Sequence, residues 1–194
     1  KTAMQRADTV YMEMDMDDPS TLMGGMLYMT MKDGKKLQDF YTEAEYKRLS
    51  DFFNDSLKTP IMMLQRMKPY FLVALFYPRL MDCKTVSGVE QELIGLAKEY
   101  KKEIKGLETI QFQASVFDSI PYEWQAKELL KNVDSTKEMK KEFDQMARLY
   151  MHQQLDSLAS MMNESEFSDT GFGKILLVDR NKNWAKELNH IMKH

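Results

Sequence analysis

Two short strand-like segments that lie far apart in the sequence constrain the fold of this chain more than any other feature. Residues 9–15 alternate polar and apolar side chains and are rich in strand formers, and residues 101–109 form a second candidate. Apolar residues between and after them recur at helical spacing. Few strands separated by long helical stretches predict an α/β (α+β) fold, with a small central β-sheet and a large, mainly helical elaboration.

The chain has the length of one domain. Its 194 residues contain no internal repeat, no low-complexity tract and no linker long enough to divide them. We therefore predict a single domain over residues 1–194, with helical regions at roughly 38–100 and 111–162.

Capping boxes and prolines predict where helices begin and break. A serine or threonine followed three residues later by glutamate occurs at Thr42/Glu45, Ser87/Glu90 and Ser135/Glu138. The first box predicts a helix to about Leu57, and the third predicts a long helix to about Met161. Breaks are predicted near Pro69 and Pro121.

Two segments fit more than one structure. Residues 21–32 are rich in methionine, and the pair Gly24-Gly25 weakens a helix there. Residues 175–178 form a short apolar run that is typical either of a strand or of a buried helix.

The chain has 18 methionines. Because methionine fills irregular gaps in protein cores, we predict that they are mainly core residues.

Composition argues against two classes of partner. Lys and Arg number 27 and Asp and Glu number 30, so a net charge of −3 provides no basic surface for nucleic acid. The longest apolar stretch, residues 70–77, is too short to cross a bilayer, and we predict no transmembrane segment. The single cysteine, Cys83, is predicted to be a buried structural residue.

Two groups of polar side chains near predicted strand ends are candidates for chemistry. Glu13 and Asp15 project to one side of a strand, where two carboxylates can hold a hard cation or transfer protons. A solvated strand end is the alternative. Glu108 follows the second strand and Gln111 lies near the start of the next helix, which is typical either of a site or of a helix cap.

Arg180 and Asn181 lie where an apolar run meets the last predicted helix. An arginine at such a junction can bind a carboxylate through two hydrogen bonds or stabilise a developing anion. Equally, it can pair with Asp179 or cap a backbone carbonyl. Glu90 already has a structural explanation in its capping box. His190 and His194 lie four residues apart without the glutamate of a zinc peptidase, so we predict no zinc site there.

Five segments, in this order, resemble those of the TraB/GumN family, relatives of the Tiki metalloproteases. They are Ala7-Asp8-Thr9-Val10-Tyr11-Met12-Glu13, Lys68-Pro69, Gly88-Val89-Glu90 with Leu93 and Ala97, Gly106-Leu107-Glu108-Thr109 with Gln111 or Gln113, and Arg180-Asn181 with Trp184. Each segment is short, but five in the right order are fairly specific, and together they cover most of the chain.

The resemblance implies an α/β protein that is extracytoplasmic, in the cell envelope or secreted. It implies a divalent-metal-dependent hydrolase of the peptidase class in full-length form, with a protein, peptide or small-molecule substrate. Other members are related to pheromone shutdown or polysaccharide gene clusters. The catalytic positions implied are Glu13, Glu108 and Arg180. Those implied for substrate binding are Glu90, Gln111 and Asn181, and those implied for the metal ion are Glu13 and Glu90.

The family's metal site also uses two Gly-x-x-His motifs, which flank the segments above. No Gly-x-x-His occurs in the 194 residues, so we expect this chain to be an interior portion and the two motifs to lie outside it. A divalent ion held by carboxylates alone is expected to bind weakly. The alternative function is a non-catalytic binding module, in which methionine- and aromatic-rich helices form a groove for a peptide, a lipid or haem.

Overall fold

The computed structural model describes residues 1–81, 86–163 and 173–193. These residues are mainly helical and include a sheet of two parallel strands, which confirms the predicted helix-rich α/β fold. The helices and strands in chain order are α1 Thr2–Arg6, β1 Thr9–Met12, α2 Pro19–Tyr28, α3 Glu43–Asp55, α4 Pro69–Val73, α5 Tyr77–Leu80, α6 Val89–Glu99, β2 Glu103–Gly106, α7 Ile110–Asp118, α8 Tyr122–Asp134, α9 Thr136–Met151, α10 Leu155–Asn163 and α11 Arg180–Ile191. The predictions for Cys83 and His194 lie outside the described residues.

Residue contacts divide the chain into two compact units. The sheet unit comprises residues 1–29, 86–117 and 175–193 of the described chain, and the helical unit comprises residues 30–81, 118–163 and 173–174. Each unit is assembled from segments that are far apart in sequence. The prediction of a single domain stays a prediction. Among the described residues, no helix is both long enough and apolar enough to span a bilayer.

The sheet unit contains β1 and β2, which pair in parallel from Thr9 opposite Glu103 to Met12 opposite Gly106. A small apolar core belongs to this unit and consists of four buried side chains, Met4, Met12, Ala97 and Ile104. β1 ends at Met12, earlier than the alternation predicts. Glu13 therefore lies just beyond the strand, and strand geometry does not fix the direction of the acidic side chains that follow it.

The helical unit has its own core of eight buried side chains, Met31, Leu37, Leu49, Phe53, Ile61, Leu72, Phe76 and Leu129. In α3, Leu49 and Phe53 lie one turn apart and are both fully buried, as an apolar helical stripe requires. The predicted capping box is confirmed at the start of this helix. Thr42 Oγ1 accepts the Glu45 N–H at 3.4 Å, and Glu45 Oε2 accepts the Thr42 N–H at 2.8 Å.

A buried ion pair fixes the start of α4 within the helical unit. Lys68 is 1% exposed, and its ammonium lies 2.7 Å from Asp118 Oδ1. Asp118 also pairs with Lys32 at 2.8 Å and accepts the Tyr122 hydroxyl at 3.1 Å. Burial acts to raise the pKa of Asp118, but hydrogen bonds from Lys32 and Lys68 outweigh it and lower that pKa below its usual value. The ionised carboxylate therefore compensates the buried lysine.

The capping box predicted at Ser87 and Glu90 is wrong. Gly88 is the residue that flanks the first turn of α6, and it donates its N–H to Gln91 Oε1 at 3.4 Å. The Ser87 hydroxyl donates to Glu92 Oε1 at 2.6 Å. Because the cap is Gly88 and not Ser87, the residue three positions later is Gln91 and not Glu90. Glu90 therefore has no capping role, and capping no longer explains its presence.

The capping box predicted at Ser135 and Glu138 is also wrong. Ser135 Oγ donates back to the Lys131 carbonyl at 2.6 Å, a bond typical of serine within a helical chain, so α8 runs almost directly into α9. The helix that follows is shorter than predicted. It ends at Met151, because Gln153 adopts a φ of 56°, in the left-handed region.

The two segments that fit more than one structure are helical over most of their length, but residues 29–32 lie outside any helix. Residues 21–28 belong to α2, and residues 175–178 lie in a π-helical turn, Lys174–Asp179, that runs into α11. The breaks predicted near Pro69 and Pro121 are confirmed. The prediction that the methionines are mainly core residues is wrong for those that are largely exposed, Met23, Met26, Met62, Met63, Met151 and Met192.

Candidate functional site

Two glutamates lie side by side at the end of the sheet. The hydrogen-bond ladder continues past β1 and β2, since Leu107 N–H donates to Met12 O at 2.8 Å and Glu108 N–H donates to Glu13 O at 2.9 Å. Parallel strands present their carboxyl ends at the same edge of a sheet. Glu13 and Glu108 therefore leave that edge together, although they are far apart in sequence.

Gly106, the last residue of β2, permits this close approach. A β-carbon at this position would lie 2.6 Å from the Asp15 nitrogen and 2.9 Å from the Glu108 carbonyl oxygen, both of which are backbone atoms. The φ angle of Gly106 is not in the left-handed region. The glycine is thus required for space and not for its conformational freedom.

Arg180, the first residue of α11, binds both glutamates. Its Nη2 donates to Glu13 Oε2 at 2.9 Å and, more closely, to Glu108 Oε1. Its Nε donates to Glu108 Oε1 at 3.0 Å and to Oε2 at 3.2 Å. A guanidinium that contacts both oxygens of a carboxylate is fixed in orientation as well as in position. Nη1 donates to the Leu176 carbonyl at 3.2 Å, in the preceding π-helical turn.

The three side chains differ sharply in exposure. The side chain of Glu108 is 6% exposed and that of Arg180 is 11% exposed, whereas that of Glu13 is 56% exposed. Burial acts to lower the pKa of Arg180, but hydrogen bonds to Glu108 and Glu13 outweigh it and raise that pKa above its usual value. The cluster thus consists of two carboxyl groups and one guanidinium, and Glu13 is its accessible member.

Two further side chains contact the cluster of Glu13, Glu108 and Arg180, and neither of them was predicted as a site residue. Gln113 Nε2 donates to Glu13 Oε2 at 3.0 Å and to Glu108 Oε1 at 3.2 Å. Trp184 Nε1 donates to Glu108 Oε2 at 3.1 Å, and the guanidinium carbon of Arg180 lies 4.8 Å from the centre of its ring. The sequence indicated the contact of Trp184 through its spacing from Arg180, because residues four apart on a helix lie on the same face.

A sequence model of the TraB/PrgY/gumN family matches residues 1–194, the whole chain. The chain belongs to the TraB/PrgY/gumN family. Comparisons with curated proteins and with solved structures give no match. The family match confirms the resemblance drawn from the five segments, and four of those segments contribute side chains or backbone to the sheet unit.

Three other predicted site residues do not join the cluster of this TraB/PrgY/gumN family member. Glu90, Gln111 and Asn181 are exposed, and none of them makes a hydrogen bond or an ion pair with Glu13, Glu108 or Arg180. Gln113, two residues after Gln111, makes the amide contacts instead. Substrate binding by these three residues, and metal binding by Glu90, stay predictions.

An open cleft of about 500 Å³ adjoins Glu108 in the sheet unit of the family member. It is lined by Tyr11, Asp15, Thr21, Lys105, Gly106, Leu107, Glu108, Thr109, Ile110, Glu187 and Ile191. Asp15 Oδ1 is buried without a hydrogen-bond partner. Burial, followed by the neighbouring Asp17, raises the pKa of Asp15 above its usual value. The cleft lies beyond the carboxyl ends of the strands, where ligands of α/β proteins commonly bind.

The described residues of this TraB/PrgY/gumN protein contain no group of three or more His, Cys, Asp or Glu side chains placed to hold a metal ion. The oxygens of Glu108 accept hydrogen bonds from Arg180, Gln113 and Trp184. Glu13 Oε1 is the carboxylate oxygen of the cluster that accepts no hydrogen bond from residues 1–81, 86–163 and 173–193. One exposed carboxylate oxygen is therefore what the cluster offers to a cation.

Proposed function

We propose that this chain carries the carboxylate and guanidinium groups of a divalent-metal-dependent hydrolase of the peptidase class, located in the cell envelope or secreted. The observation that carries the proposal is the convergence of Glu13, Glu108 and Arg180 at the carboxyl ends of two parallel strands. An open cleft beside Glu108 is large enough to admit part of a peptide. Family membership supports the same reading.

The donor set of the cluster does not by itself meet the requirement of a divalent metal ion. A hydrolytic zinc centre takes about three protein ligands and keeps one position open. Among the described residues, the cluster offers Glu13 Oε1 and no further free carboxylate oxygen. These residues alone do not fit a metal ion. The remaining ligands would have to come from the two histidine motifs that the resemblance implies.

The residues of the chain have distinct parts in this proposal. Glu13 is exposed, and it can act on a proton or contact a cation through Oε1. Arg180 is charged at every relevant pH, and it can stabilise a developing oxyanion. Both glutamates hold this guanidinium, however, so an anion gains little from it until Glu13 is neutralised or moves away.

Hydrolysis by the full-length protein, including whatever sequence flanks residues 1–194, tests the proposal. Panels of peptides and esters are offered after chelation and after addition of Mn²⁺ or Zn²⁺. We expect metal-stimulated cleavage, and a loss of about 100-fold or more in kcat/KM for Glu13→Gln and for Arg180→Lys. Glu99→Gln, an exposed carboxylate of α6, is the matched control and should leave the rate unchanged. Absence of metal-stimulated cleavage across both panels would refute the proposal.

A binding module is the second candidate, and exposed apolar side chains in the helical unit favour it. Tyr150, Met151 and Leu155 are each about 70% exposed where α9 passes into α10. Contiguous exposed apolar groups commonly mark an interaction surface. Titration with an amphipathic peptide, lipid vesicles or haem should give saturable binding that Met151→Gln combined with Leu155→Gln weakens about tenfold. Equal affinity in the double variant would argue against this surface.

A further inference from the structure

Glu108 has almost no capacity left for chemistry. A carboxylate offers about four lone-pair sites. Glu108 Oε1 accepts from Nε and Nη2 of Arg180 and from Gln113, and Oε2 accepts from Nε of Arg180 and from Trp184. Its side chain is 6% exposed. A metal ion or a reacting water would have to displace donors that already compensate a buried charge, which is costly.

Glu13 differs from Glu108 in its exposure and in the number of hydrogen bonds that it accepts. It accepts from Arg180 and Gln113 through Oε2, its Oε1 has no partner within the described part of the chain, and it is 56% exposed. The two carboxylates share the same arginine and the same amide but differ in what remains open. Glu13 can change partners at low cost, whereas Glu108 cannot.

Trp184 contributes to the difference between the two carboxylates, together with the additional contact from Nε of Arg180 to Glu108. Its indole N–H contacts Oε2 of Glu108, and its ring lies against the guanidinium of Arg180. The first contact prevents the carboxylate from rotating, and the second limits the movement of the arginine. Both groups of the ion pair are therefore held by one side chain, which lies one turn along the same helix as Arg180.

We propose that Trp184 and Glu108 are positioning residues, and that Glu13 is the member of the cluster that contacts the substrate. This inference rests on the proposed function for what Glu13 contacts. It does not rest on that function for the positioning itself. It reassigns Glu108 from the catalytic role that the resemblance implies to the role of holding Arg180, which in turn holds Glu13.

Carboxyl labelling of the full chain with a water-soluble carbodiimide and an amine, read by mass spectrometry, tests the positioning without any activity. Glu13 is expected to label about nine times faster than Glu108, the ratio of their exposed fractions. Trp184→Phe keeps an aromatic ring and removes the N–H, and it should raise labelling of Glu108 about three- to tenfold. Labelling of Glu13 and of Asp118, in the helical unit, should change less than twofold.

Trp124→Phe, a tryptophan change in α8, is the matched control and should leave Glu108 labelling unaltered. Gln113→Met is the second variant, in case Trp184→Phe does not fold, and it should raise labelling of both glutamates because it removes a donor from each. Equal labelling of Glu13 and Glu108 in the unchanged protein would overturn the inference. So would unaltered Glu108 labelling in both variants.

Kinetics of the full-length protein separate positioning from substrate contact. A positioning residue acts on the transition state, so Trp184→Phe is expected to lower kcat about tenfold with KM nearly constant. A raised KM with unchanged kcat would assign Trp184 to substrate binding and overturn its positioning role. A protein that hydrolyses nothing would sink the proposed function, while the labelling result would still decide the arrangement of the cluster.

Discussion

Replacing Gly106 by alanine tests the contact on which the whole cluster depends. Ordinary van der Waals contact of a β-carbon begins near 3.4 Å, but the new atom would lie 2.6 Å from Asp15 N and 2.9 Å from Glu108 O. Relief of the first contact requires the two chains to separate by about 0.8 Å. The 2.8 Å and 2.9 Å bonds donated by Leu107 and Glu108 would then exceed hydrogen-bond range.

The magnitude follows from those losses. Two backbone hydrogen bonds contribute about 1 kcal/mol each, and overpacking against immobile atoms costs about 1–3 kcal/mol. We expect Gly106→Ala to lower the free energy of unfolding by about 3–5 kcal/mol. Urea unfolding followed by circular dichroism measures the change through the midpoint at constant m.

Gly95→Ala is the matched control in the same unit. Gly95 lies on the exposed side of α6, and among the described residues no atom beyond its chain neighbours and the backbone of its own helix lies within 4 Å of a β-carbon. Alanine is the better helix former, so this change should stabilise by about 0.5–1 kcal/mol. The two variants should therefore shift the midpoint in opposite directions. A Gly106→Ala protein as stable as the unchanged chain would refute the steric argument.

Three further predictions concern the helical unit. Lys68→Ala should lower the free energy of unfolding by about 3 kcal/mol, because it breaks a buried ion pair with Asp118. Lys47→Ala removes one partner of an exposed ion pair and should change that free energy by less than about 1 kcal/mol. Urea unfolding of the two variants measures the difference. The lowered pKa of Asp118 stabilises the fold above about pH 4. That contribution should be lost on further acidification, and an acid titration of Asp118→Asn should lack it. Tyr41→Phe leaves the Ala126 carbonyl without its 2.7 Å donor and should cost about 1–2 kcal/mol in thermal unfolding, with an unchanged melting temperature as the contrary result.

Much of the local structure could be predicted from the sequence because its causes are local. The Thr42 capping box needs only the backbone of its own turn, and it is present. The breaks at Pro69 and Pro121 follow from a missing donor and a fixed φ. The box at Ser87 failed because a shift of one residue changes which side chain reaches the first turn, and Gln91 competes with Glu90 there.

Taken singly, the residues of the cluster were separate candidates, and only the resemblance to the family predicted that Glu13, Glu108 and Arg180 line one site, where the structure brings them together. Residue types and motif order identified Glu13, Glu108 and Arg180 as site residues. Gln111 was predicted as the glutamine of the site, whereas Gln113 makes the contact. Which of the two glutamines faces the cluster depends on the residue at which α7 begins. A short sequence motif does not fix that residue. The roles of these residues stay predictions until activity is measured.

The sequence by itself determined the identity of the charged groups, the family and the alternation of few strands with many helices. Tertiary structure alone decided that Glu13 and Glu108 are neighbours, because their parallel register depends on the chain that folds between them. It also decided that Glu108 is buried and Glu13 exposed. The exposure of two identical side chains depends on which residues pack over each of them. Arg180 and Trp184, which lie near the far end of the chain, pack against Glu108.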